Sequence, residues 1–488
     1  MIILLKGMII MYLKRMTIKN FRCIKEATLY FNEGLNILIG ENNSGKTTIL
    51  DALRLAFSYG KQWRDIYVSL DDFYIDKNDL KAQESDIEFH LYFKIQRPEE
   101  AGIFIDLLAI NDEGEQELQL HFRYFIQERN GIKKVRYSVW GGENEGQMIN
   151  PEVLDLIYYV YLGALRDAVQ QLRPVRGNRL GELYTKLVPD EKEQEVFAQK
   201  VRSVLSNDKD WQILIEKGKI KVNEHLNEFS IKGKEQTVEI DFLPWEFRKI
   251  VESLRIQMPF FGKDVLENEE DQRYFELSQN GLGYNNLIYI ATVLGDLERK
   301  KELEKEAYIA LLIEEPEAHL HPQLQNIFFN YLNKLNKSGF QIFVTSHSPT
   351  ITAKADLDSL IVLQDQEDKI FALSIKKTNL DDSNKKFLRK FLDVTKSQLF
   401  FSNGVILVEG ISEALLLPVF SKIMGDEYDI EKNGIEVVNL NGVAFEHFAK
   451  LFNTKNPSNR LNCRCAILTD DDRTGNEEIS SRVFGNYE

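Results

Sequence analysis

Residues 40–47, GENNSGKT, have the types and spacing of a phosphate-binding loop. The segment matches the pattern GxxxxGK[ST] in full and lies between an apolar run, LNILIG, and a helical pattern. In such a loop, backbone amides and the helix N-terminus bind phosphate oxygens, the lysine neutralises the outer phosphates, and the hydroxyl after it ligates magnesium. The predicted nucleotide-binding residues of this loop are Gly40, Asn42, Asn43, Ser44, Gly45, Lys46, Thr47 and Thr48.

Two adjacent carboxylates, Glu314 and Glu315, end the apolar run AYIALLIEE. One such carboxylate can hold magnesium, directly or through water, and the next can orient the attacking water. We therefore predict that Glu314 is a metal ligand together with Thr47, and that Glu315 is catalytic; two solvated acids at a strand end are the alternative. His319 and His321 have no third ligand nearby, so we predict no metal site there.

Two further segments have weaker signals for the same site. His347 follows another apolar run, FQIFVTS, at the carboxyl end of a predicted strand, where it could sense the terminal phosphate. A strand-end histidine that is hydrogen-bonded in a turn is the alternative. The segment FELSQNGLG places Ser278, Gly281 and Gly283 before a long helical pattern, so a hydroxyl, amides and a positive helix end face one point. We predict these three residues as nucleotide contacts.

A second group of acidic residues follows two apolar runs near the C-terminus. GVILVEG ends at Glu409, with Glu413 on the next helical turn, and CAILTDDD ends at Asp470, Asp471 and Asp472. If the two strands are parallel and adjacent, their carboxyl ends bring Glu409, Asp470 and Asp472 together as ligands for Mg²⁺ or Mn²⁺. Such ions activate water for phosphodiester cleavage, so we predict these three residues as catalytic metal ligands and Glu413 as a further ligand. A solvated acidic loop is the alternative.

The elements that must position these residues follow from the hydrophobic patterns. Alternating segments before residue 150 predict a strand-rich region, and residues 150–275 carry longer helical patterns with few clean strands. Short buried runs alternate with helical patterns after residue 306, as in a parallel sheet covered by helices, and a fresh strand–helix series begins near residue 401. The fold class is therefore α/β, with a largely helical insertion and a second α/β domain.

Composition narrows the class of protein. The chain has 488 residues, 43% of them hydrophobic, which is ample for several packed domains. Its formal net charge of −15 means that a polyanion would need a local basic surface. Three cysteines without metal-ligand spacing favour a reducing cytoplasm, and the apolar N-terminus is interrupted by Lys6 and too short for a membrane span. We expect a cytoplasmic protein with no membrane anchor.

At these residues the chain resembles the ABC-type ATPase heads of the SMC and RecF-like group. The resemblance implies ATP as the cofactor, LSQNGLG as the signature loop, LLIEE as the Walker B strand and His347 as the switch histidine. It also implies a dimer, because the signature helix of one head completes the nucleotide site of another. Two departures exist: Glu314 stands where most ABC heads have Asp, and the signature lacks the usual paired glycines.

The C-terminal pattern looks like a Toprim domain, and an ABC-type head with an insertion followed by a Toprim domain resembles the OLD family of nucleases (overcoming lysogenization defect). YLGALRDA, RPVRGNRLGEL, EEPEAHLHP and VEGISEALLLP are also similar to that family. The resemblance implies the following segments: 11–149, N-terminal lobe of the head with the phosphate loop; 150–275, helical insertion and dimerisation region; 276–378, C-terminal lobe; 379–400, linker helix; 401–488, Toprim domain. Arg166, Arg173, Arg176 and Arg179 of the insertion either touch phosphate or are solvated charges. Because the chain ends soon after Asp472, we expect this Toprim domain to be truncated.

The leading hypothesis is an ATP-hydrolysing, Mg²⁺- or Mn²⁺-dependent DNA endonuclease, a homodimer or higher homo-oligomer that acts in defence against phage or mobile DNA. The rival is a RecF-like ATP-gated DNA-binding, repair or scaffold protein with an inactive Toprim remnant. Truncation supports the rival, and the complete acidic triad opposes it. A transporter ATPase subunit is disfavoured by the Toprim motifs. The sequence predicts no particular partner protein.

Overall fold

The computed structural model describes residues 11–59, 64–75, 85–96, 98–111, 113–163, 168–229, 237–242, 245–260, 273–303, 307–318, 320–335, 339–366, 369–378, 380–454 and 456–470. The strands in these residues are β1 Met11–Phe21, β2 Ile24–Tyr30, β3 Leu35–Gly40, β4 Ile87–Ile95, β5 Leu108–Ile110, β6 Gln116–Arg129, β7 Ile132–Gly141, β8 Ile157–Leu162, β9 Gln257–Pro259, β10 Tyr274–Glu276, β11 Tyr308–Glu314, β12 Gln341–Ser346, β13 Leu360–Gln366, β14 Lys369–Ser374, β15 Gly404–Val408, β16 Ile435–Asn439 and β17 Arg464–Leu468.

The α-helices in the same residues are α1 Lys46–Phe57, α2 Pro151–Asp155, α3 Ala168–Gln171, α4 Arg179–Leu187, α5 Glu191–Asn207, α6 Lys209–Phe229, α7 Phe247–Glu252, α8 Leu282–Glu302, α9 Pro322–Leu335, α10 Pro349–Lys354, α11 Asp382–Phe391, α12 Ile411–Met424 and α13 Phe445–Ala449. The chain divides into two compact units, residues 1–165 with 306–488, and residues 166–305. No described helix is long and apolar enough to cross a membrane.

The first unit begins with an antiparallel sheet in the order β2-β1-β4-β6-β5, with β7 paired to β6. Its strands alternate buried and more exposed residues, which is the period of a half-buried strand and confirms the predicted strand-rich region. Leu13, Ile18 and Phe89 point into a core that they share with Ile49 and Leu53 of α1. Helix α1 is buried at every residue except Thr47 and Arg54, which is the pattern of a helix that is covered on all sides.

The central sheet positions the nucleotide site. Its order is β14-β13-β3-β12-β11-β8, and all neighbours are parallel except the edge strand β14. Strands β3, β11 and β12 are buried at every residue, as expected for a parallel sheet covered on both faces. Because the carboxyl ends of parallel strands meet at one edge, the residues that follow β3, β8, β11 and β12 come together.

Strand β8 is the main difference from the expected organisation. It lies in the segment 150–275, where we expected a helical insertion, yet it pairs with β11 in the central sheet. Its sequence, IYYVYL, is mostly apolar, and periodicity does not distinguish so short an apolar run from a buried helix segment. The helices predicted after β8 agree better with the structure. Helix α5 matches the helical pattern of residues 190–205, and α7 lies in the second predicted helix but ends at Glu252, earlier than expected.

The second unit, residues 166–305, is mostly helical in its described part. Helix α4 packs on α7 and α8. The Lys186 ammonium of α4 lies 2.5 Å from Asp296 of α8, whose side chain is buried. Helices α5 and α6 expose large apolar side chains, including Val204, Trp211 and Leu214.

The C-terminal part of the first unit contains a parallel sheet in the order β16-β15-β17. Helix α12 follows β15, and α13 lies between β16 and β17, which confirms the predicted two strand–helix units and third strand. Helix α12 exposes apolar residues along its length, including Ile411, Leu415 and Ile423. Strands β15 and β17 are parallel and adjacent, as the predicted acidic site requires.

Candidate functional site

The loop after β3 begins and ends with glycines that the backbone requires. Gly40 ends β3 with φ 153°, and a Cβ on it would lie 2.4 Å from the Leu363 carbonyl oxygen. Gly45 caps α1 with φ 87°, in the left-handed region that favours glycine. The predicted nucleotide-binding residues between Gly40 and Thr48 therefore form one strand–loop–helix segment, with residues 41–43 and Thr47 exposed.

Lys46 is the cation of this loop. Its ammonium donates to the Gly40 carbonyl at 2.9 Å, to the Glu41 carbonyl at 2.6 Å and to the Ser44 hydroxyl at 3.3 Å. Burial lowers the pKa of Lys46 from 10.5 to about 8, although the nearby Glu315, Glu317 and Glu41 carboxylates favour its charged form. The side chain therefore keeps most of its positive charge at neutral pH and can neutralise a phosphate.

Glu314 and Thr47, the two residues that we predict to bind a metal ion, are in direct contact. The Thr47 hydroxyl donates to Glu314 Oε1 at 2.5 Å, and the Tyr161 hydroxyl donates to Glu314 Oε2 at 2.5 Å. A hydroxyl beside a carboxylate is an oxygen donor set that suits magnesium. Burial and the hydrogen bond to Glu314 raise the pKa of Tyr161 well above its ordinary value, so the phenol remains a donor. Sequence reasoning missed Tyr161, because a tyrosine in an apolar strand has no distinguishing pattern.

Glu315 and His347 lie together at the ends of β11 and β12. His347 Nε2 is 3.0 Å from Glu315 Oε1. Glu315 has φ 41°, an unusual value for a residue other than glycine, and its amide bonds to the Thr345 carbonyl. Burial and the Lys46 ammonium hold the pKa of His347 below its ordinary value. The catalytic role of Glu315 and the phosphate-sensing role of His347 stay predictions, and the contact between the two side chains is the geometry that both roles would use.

Glu317 supports this pair and was also missed by sequence reasoning. Its Oε1 accepts hydrogen bonds from the Ser346 hydroxyl at 2.8 Å and from the His347 amide at 2.7 Å. Burial raises the pKa of Glu317. Its position after a proline in EEPEAH gave no signal of this contact. Of the two histidines in that motif, His319 lies outside the described residues and His321 is exposed.

The predicted signature residues lie in the second unit. Ser278 and Gly281 are exposed, in a 3-10 turn and at the N-cap of α8 respectively. The expectation that Gly283 precedes the helix is wrong, because α8 already begins at Leu282. Asn285 of α8 donates to the Leu277 carbonyl at 2.7 Å, which ties this turn to the first turn of the helix.

The arginines of the insertion divide into three groups. Arg173 and Arg176 are exposed, and Arg179 forms an ion pair with Glu182 at 2.9 Å. Arg166 lies outside the described residues.

The C-terminal carboxylates lie at the ends of β15 and β17. Glu409 follows β15, and its Oε2 accepts a hydrogen bond from the Thr469 hydroxyl at 2.7 Å; the exposed Asp470 comes next in the chain. Glu413 accepts from the Gly410 amide at 3.0 Å at the start of α12. Asp472 lies outside the described residues, and within the described part no group of three metal-ligating side chains is present.

A cleft lies between the phosphate loop and the amino end of β16, at the end of the C-terminal sheet opposite Glu409. Its volume is about 740 Å³, and it is lined by Glu41 and Asn42 of the phosphate loop, by His347, and by Ser402 and Glu436 of the C-terminal part. The C-terminal sheet domain therefore borders the outer end of the nucleotide loop, within the same compact unit.

Known protein families match both parts of the chain. The AAA ATPase domain family matches residues 11–145 and 168–352, and the family of "Overcoming lysogenization defect protein-like, TOPRIM domain" matches residues 400–472. The OLD nuclease of Thermus scotoductus is 26% identical over 442 residues, which cover 88% of this chain and 78% of that protein. Endonuclease GajA of Bacillus cereus is 23% identical over 525 residues, covering 92% and 73%. Among solved structures, the Smc head bound to the C-winged helix domain of ScpA has 17% identity and a TM-score of 0.44, covering 75% of this chain and 99% of that one.

Proposed function

Because this chain belongs to the OLD family, in which an AAA ATPase domain is followed by an OLD-like Toprim domain, we propose that it is an ATP-hydrolysing, metal-dependent DNA endonuclease. One observation carries the proposal: a phosphate loop with its carboxylates and a strand pair ending in Glu409 and Asp470 occur in one compact unit. The first site binds and hydrolyses ATP, and the second cleaves phosphodiester bonds.

At the first site, the described residues fit magnesium-bound ATP. The loop amides and Lys46 bind the phosphates, and Thr47 with Glu314 holds the ion. Bound magnesium supplies positive charge that stabilises the outer phosphates during transfer. Glu315 orients the attacking water and takes up its proton, and His347 holds the Glu315 carboxylate through the 3.0 Å contact. Ser278, Gly281 and Gly283 are proposed to complete the nucleotide site of a second subunit.

At the second site, Glu409 and Asp470 are carboxylates of the kind that Mg²⁺ or Mn²⁺ binds. We assign Glu409, Asp470 and Asp472 as the catalytic metal ligands. A bound ion would activate water and stabilise the leaving oxygen of the DNA backbone. Thr469 holds one oxygen of Glu409 and thereby orients the other. Glu413 is assigned as a further ligand, and the hydrogen bond from the Gly410 amide fixes its carboxylate near Glu409 in the chain.

The helical second unit is proposed to mediate a homodimer or higher homo-oligomer. Its helices α5 and α6 expose Phe197, Val204, Trp211, Ile213 and Leu214, and an exposed apolar set of this size is typical of a surface that another chain covers. The expected dimerisation region, residues 150–275, is thereby shifted to residues 166–305, because β8 belongs to the central sheet. The expected C-terminal lobe, residues 276–378, correspondingly begins after residue 305, and residues 379–400 are proposed as the linker. A cytoplasmic role in defence against phage or mobile DNA fits a nuclease of this family.

A second candidate is an ATP-gated DNA-binding or scaffold protein of the RecF type. In that case the first site would act as proposed, and the C-terminal domain would bind DNA without cutting it.

Incubation of supercoiled plasmid with the purified chain and Mn²⁺ or Mg²⁺, with and without ATP, tests the proposal. We expect nicking that Asp470→Ala removes while ATP binding stays intact, and loss of ATP binding in Lys46→Ala. Glu427→Ala, which removes an exposed carboxylate outside the strand ends, is the matched control and should nick normally. ATP hydrolysis without any nicking would favour the second candidate. Nicking that persists in Asp470→Ala would refute the assigned metal site.

A further inference from the structure

Tyr161 lies beside the Walker B carboxylate. Strand β8 pairs in parallel with β11, with Tyr161 opposite Leu312 and Leu162 opposite Ile313, so its carboxyl end reaches Glu314. The Tyr161 hydroxyl donates to Glu314 Oε2 at 2.5 Å, and the Thr47 hydroxyl donates to Oε1 at 2.5 Å. The two carboxylate oxygens therefore have donors from two different elements, β8 and α1.

A glutamate at this position loses more conformational entropy than an aspartate would when its carboxylate is held in one orientation. Its side chain has one more rotatable bond, so holding it in one geometry costs more rotamer entropy. Glu314 is 8% exposed and lies among buried strands, so its carboxylate depends on protein donors more than on bulk water. The Tyr161 hydroxyl supplies such a donor to Oε2, and the rotamer it stabilises is the one in which Oε1 faces Thr47.

The ring of Tyr161 has two close neighbours. The Arg54 guanidinium lies 3.7 Å from the ring centroid, and ion pairs with Asp51 and Asp65, at 2.7 and 3.0 Å, fix this arginine. A Cβ at Gly163 would lie 3.2 Å from the Tyr161 hydroxyl oxygen and 3.3 Å from a ring carbon. The glycine thus leaves room for the ring, and the arginine prevents it from turning away.

We propose that Tyr161 is a positioning residue that orients Glu314 to bind the magnesium of the nucleotide. The proposal rests on the ATPase function assigned above and extends it to a residue of the edge strand β8. Hydrogen bonds to metal-ligating carboxylates fix their orientation, and losing one typically weakens metal affinity about 10- to 100-fold. Tyr161 accordingly acts through Glu314 and does not itself touch the nucleotide.

Tyr161→Phe removes the hydroxyl and keeps the ring. The matched control is Tyr159→Phe on the same strand, because the Tyr159 hydroxyl donates to Asp65 at 2.5 Å. We would measure Mn²⁺ affinity by electron paramagnetic resonance with a non-hydrolysable ATP analogue bound, and the Mg²⁺ dependence of ATP hydrolysis. We expect Mn²⁺ binding about 10- to 100-fold weaker in Tyr161→Phe, a change below about twofold in Tyr159→Phe, and unchanged affinity of both for the metal-free analogue.

A second pair of variants tests whether the effect passes through Glu314. Glu314→Asp withdraws the carboxylate from Tyr161, so adding Tyr161→Phe to it should weaken Mn²⁺ binding by less than about twofold. Gly163→Ala keeps the hydroxyl but presses on the ring, and should also weaken Mn²⁺ binding, which keeps the proposal testable if Tyr161→Phe does not fold.

Three outcomes would overturn the proposal. These are normal Mn²⁺ affinity in folded Tyr161→Phe, an equal loss in Tyr159→Phe, and an equal effect of Tyr161→Phe in the parent chain and in the Glu314→Asp variant. A parent chain that binds the analogue without any metal dependence would instead refute the ATPase function on which the proposal rests. The parent measurement therefore separates the two failures.

Discussion

Acidification should destabilise the N-terminal sheet through one histidine pair. His90 and His121 are register partners on β4 and β6, and their Nδ1 atoms are 2.8 Å apart. His121 Nε2 donates to the Gly142 carbonyl at 3.0 Å, so its Nδ1 is the acceptor from His90. A second proton on His121 would break that bond, and the ring is 6% exposed and stacked on Trp140.

The magnitude follows from proton linkage. Burial, and then the neighbouring His90, lower the pKa of His121 from 6.5 to about 4. Between these values the unfolded chain binds a proton that the folded chain does not, so stability falls as pH drops below about 6.5. The loss from about pH 7.5 to pH 5 is about 2 kcal/mol for His121 alone. Burial also lowers the pKa of His90, although Glu88 at 3.2 Å opposes this, so His90 adds to the loss.

Urea unfolding at the two pH values would measure this loss. The chain has four tryptophans, so Trp63, Trp211 and Trp245 would be replaced by Phe. The fluorescence of the remaining Trp140 then reports on the unfolding of the sheet. The control is His121→Gln in the same background, which removes the titrating ring. Carboxylates contribute equally to both chains, so the difference between their pH dependences isolates the histidine.

We expect the parent chain to lose about 2 kcal/mol more than His121→Gln on acidification. Equal losses would refute the reasoning. So would a nuclear magnetic resonance titration that gives His121 a midpoint at or above 6.5, because the folded and unfolded chains would then bind protons alike.

Two further predictions concern the contact between the N-terminal sheet and the central sheet, and the hydrolysis step. Gln341 accepts hydrogen bonds from the Leu13 amide and the Tyr308 hydroxyl, and donates to the Leu13 and Asn32 carbonyls. Gln341→Met leaves these buried groups unpaired, so it should lower the free energy of unfolding in urea by about 3–5 kcal/mol; Gln323→Met, on the surface of α9, should change it little. Glu315→Gln should slow ATP hydrolysis about 100-fold or more with ATP affinity unchanged, measured by phosphate release and equilibrium binding; equal loss of binding would contradict its role in orienting water.

Sequence reasoning succeeded where a motif forces a backbone geometry. GxxxxGK[ST] requires glycines at a strand end and a helix start, and Gly40 and Gly45 have the conformations and close contacts that explain them. The strand-end position of Glu409 likewise followed from a buried apolar run, and the parallel pairing of β15 with β17, which the acidic site requires, is present.

Residues that act through tertiary contacts could not be predicted in this way. Tyr161 contacts Glu314, and Glu317 contacts His347; both partners are distant in sequence. Tyrosine in a strand and glutamate in a turn are also common, so neither residue type indicates such a contact. Strand β8 was missed for a related reason: its apolar run has no period, and only its pairing with β11 makes it a strand. The start of α8 before Gly283 depends on a local turn that the pattern did not fix.

The strand order of the C-terminal sheet has a dynamic consequence. Glu409 follows β15, which is hydrogen-bonded on both sides, whereas Asp470 follows β17, which within the described residues pairs on one side. Strands with one neighbour open locally at lower free energy than central strands, so amide hydrogens of β17 should exchange faster than those of β15. At the proposed metal site, Glu409 would then stay in place, whereas Asp470 would move with β17 whenever that strand opens.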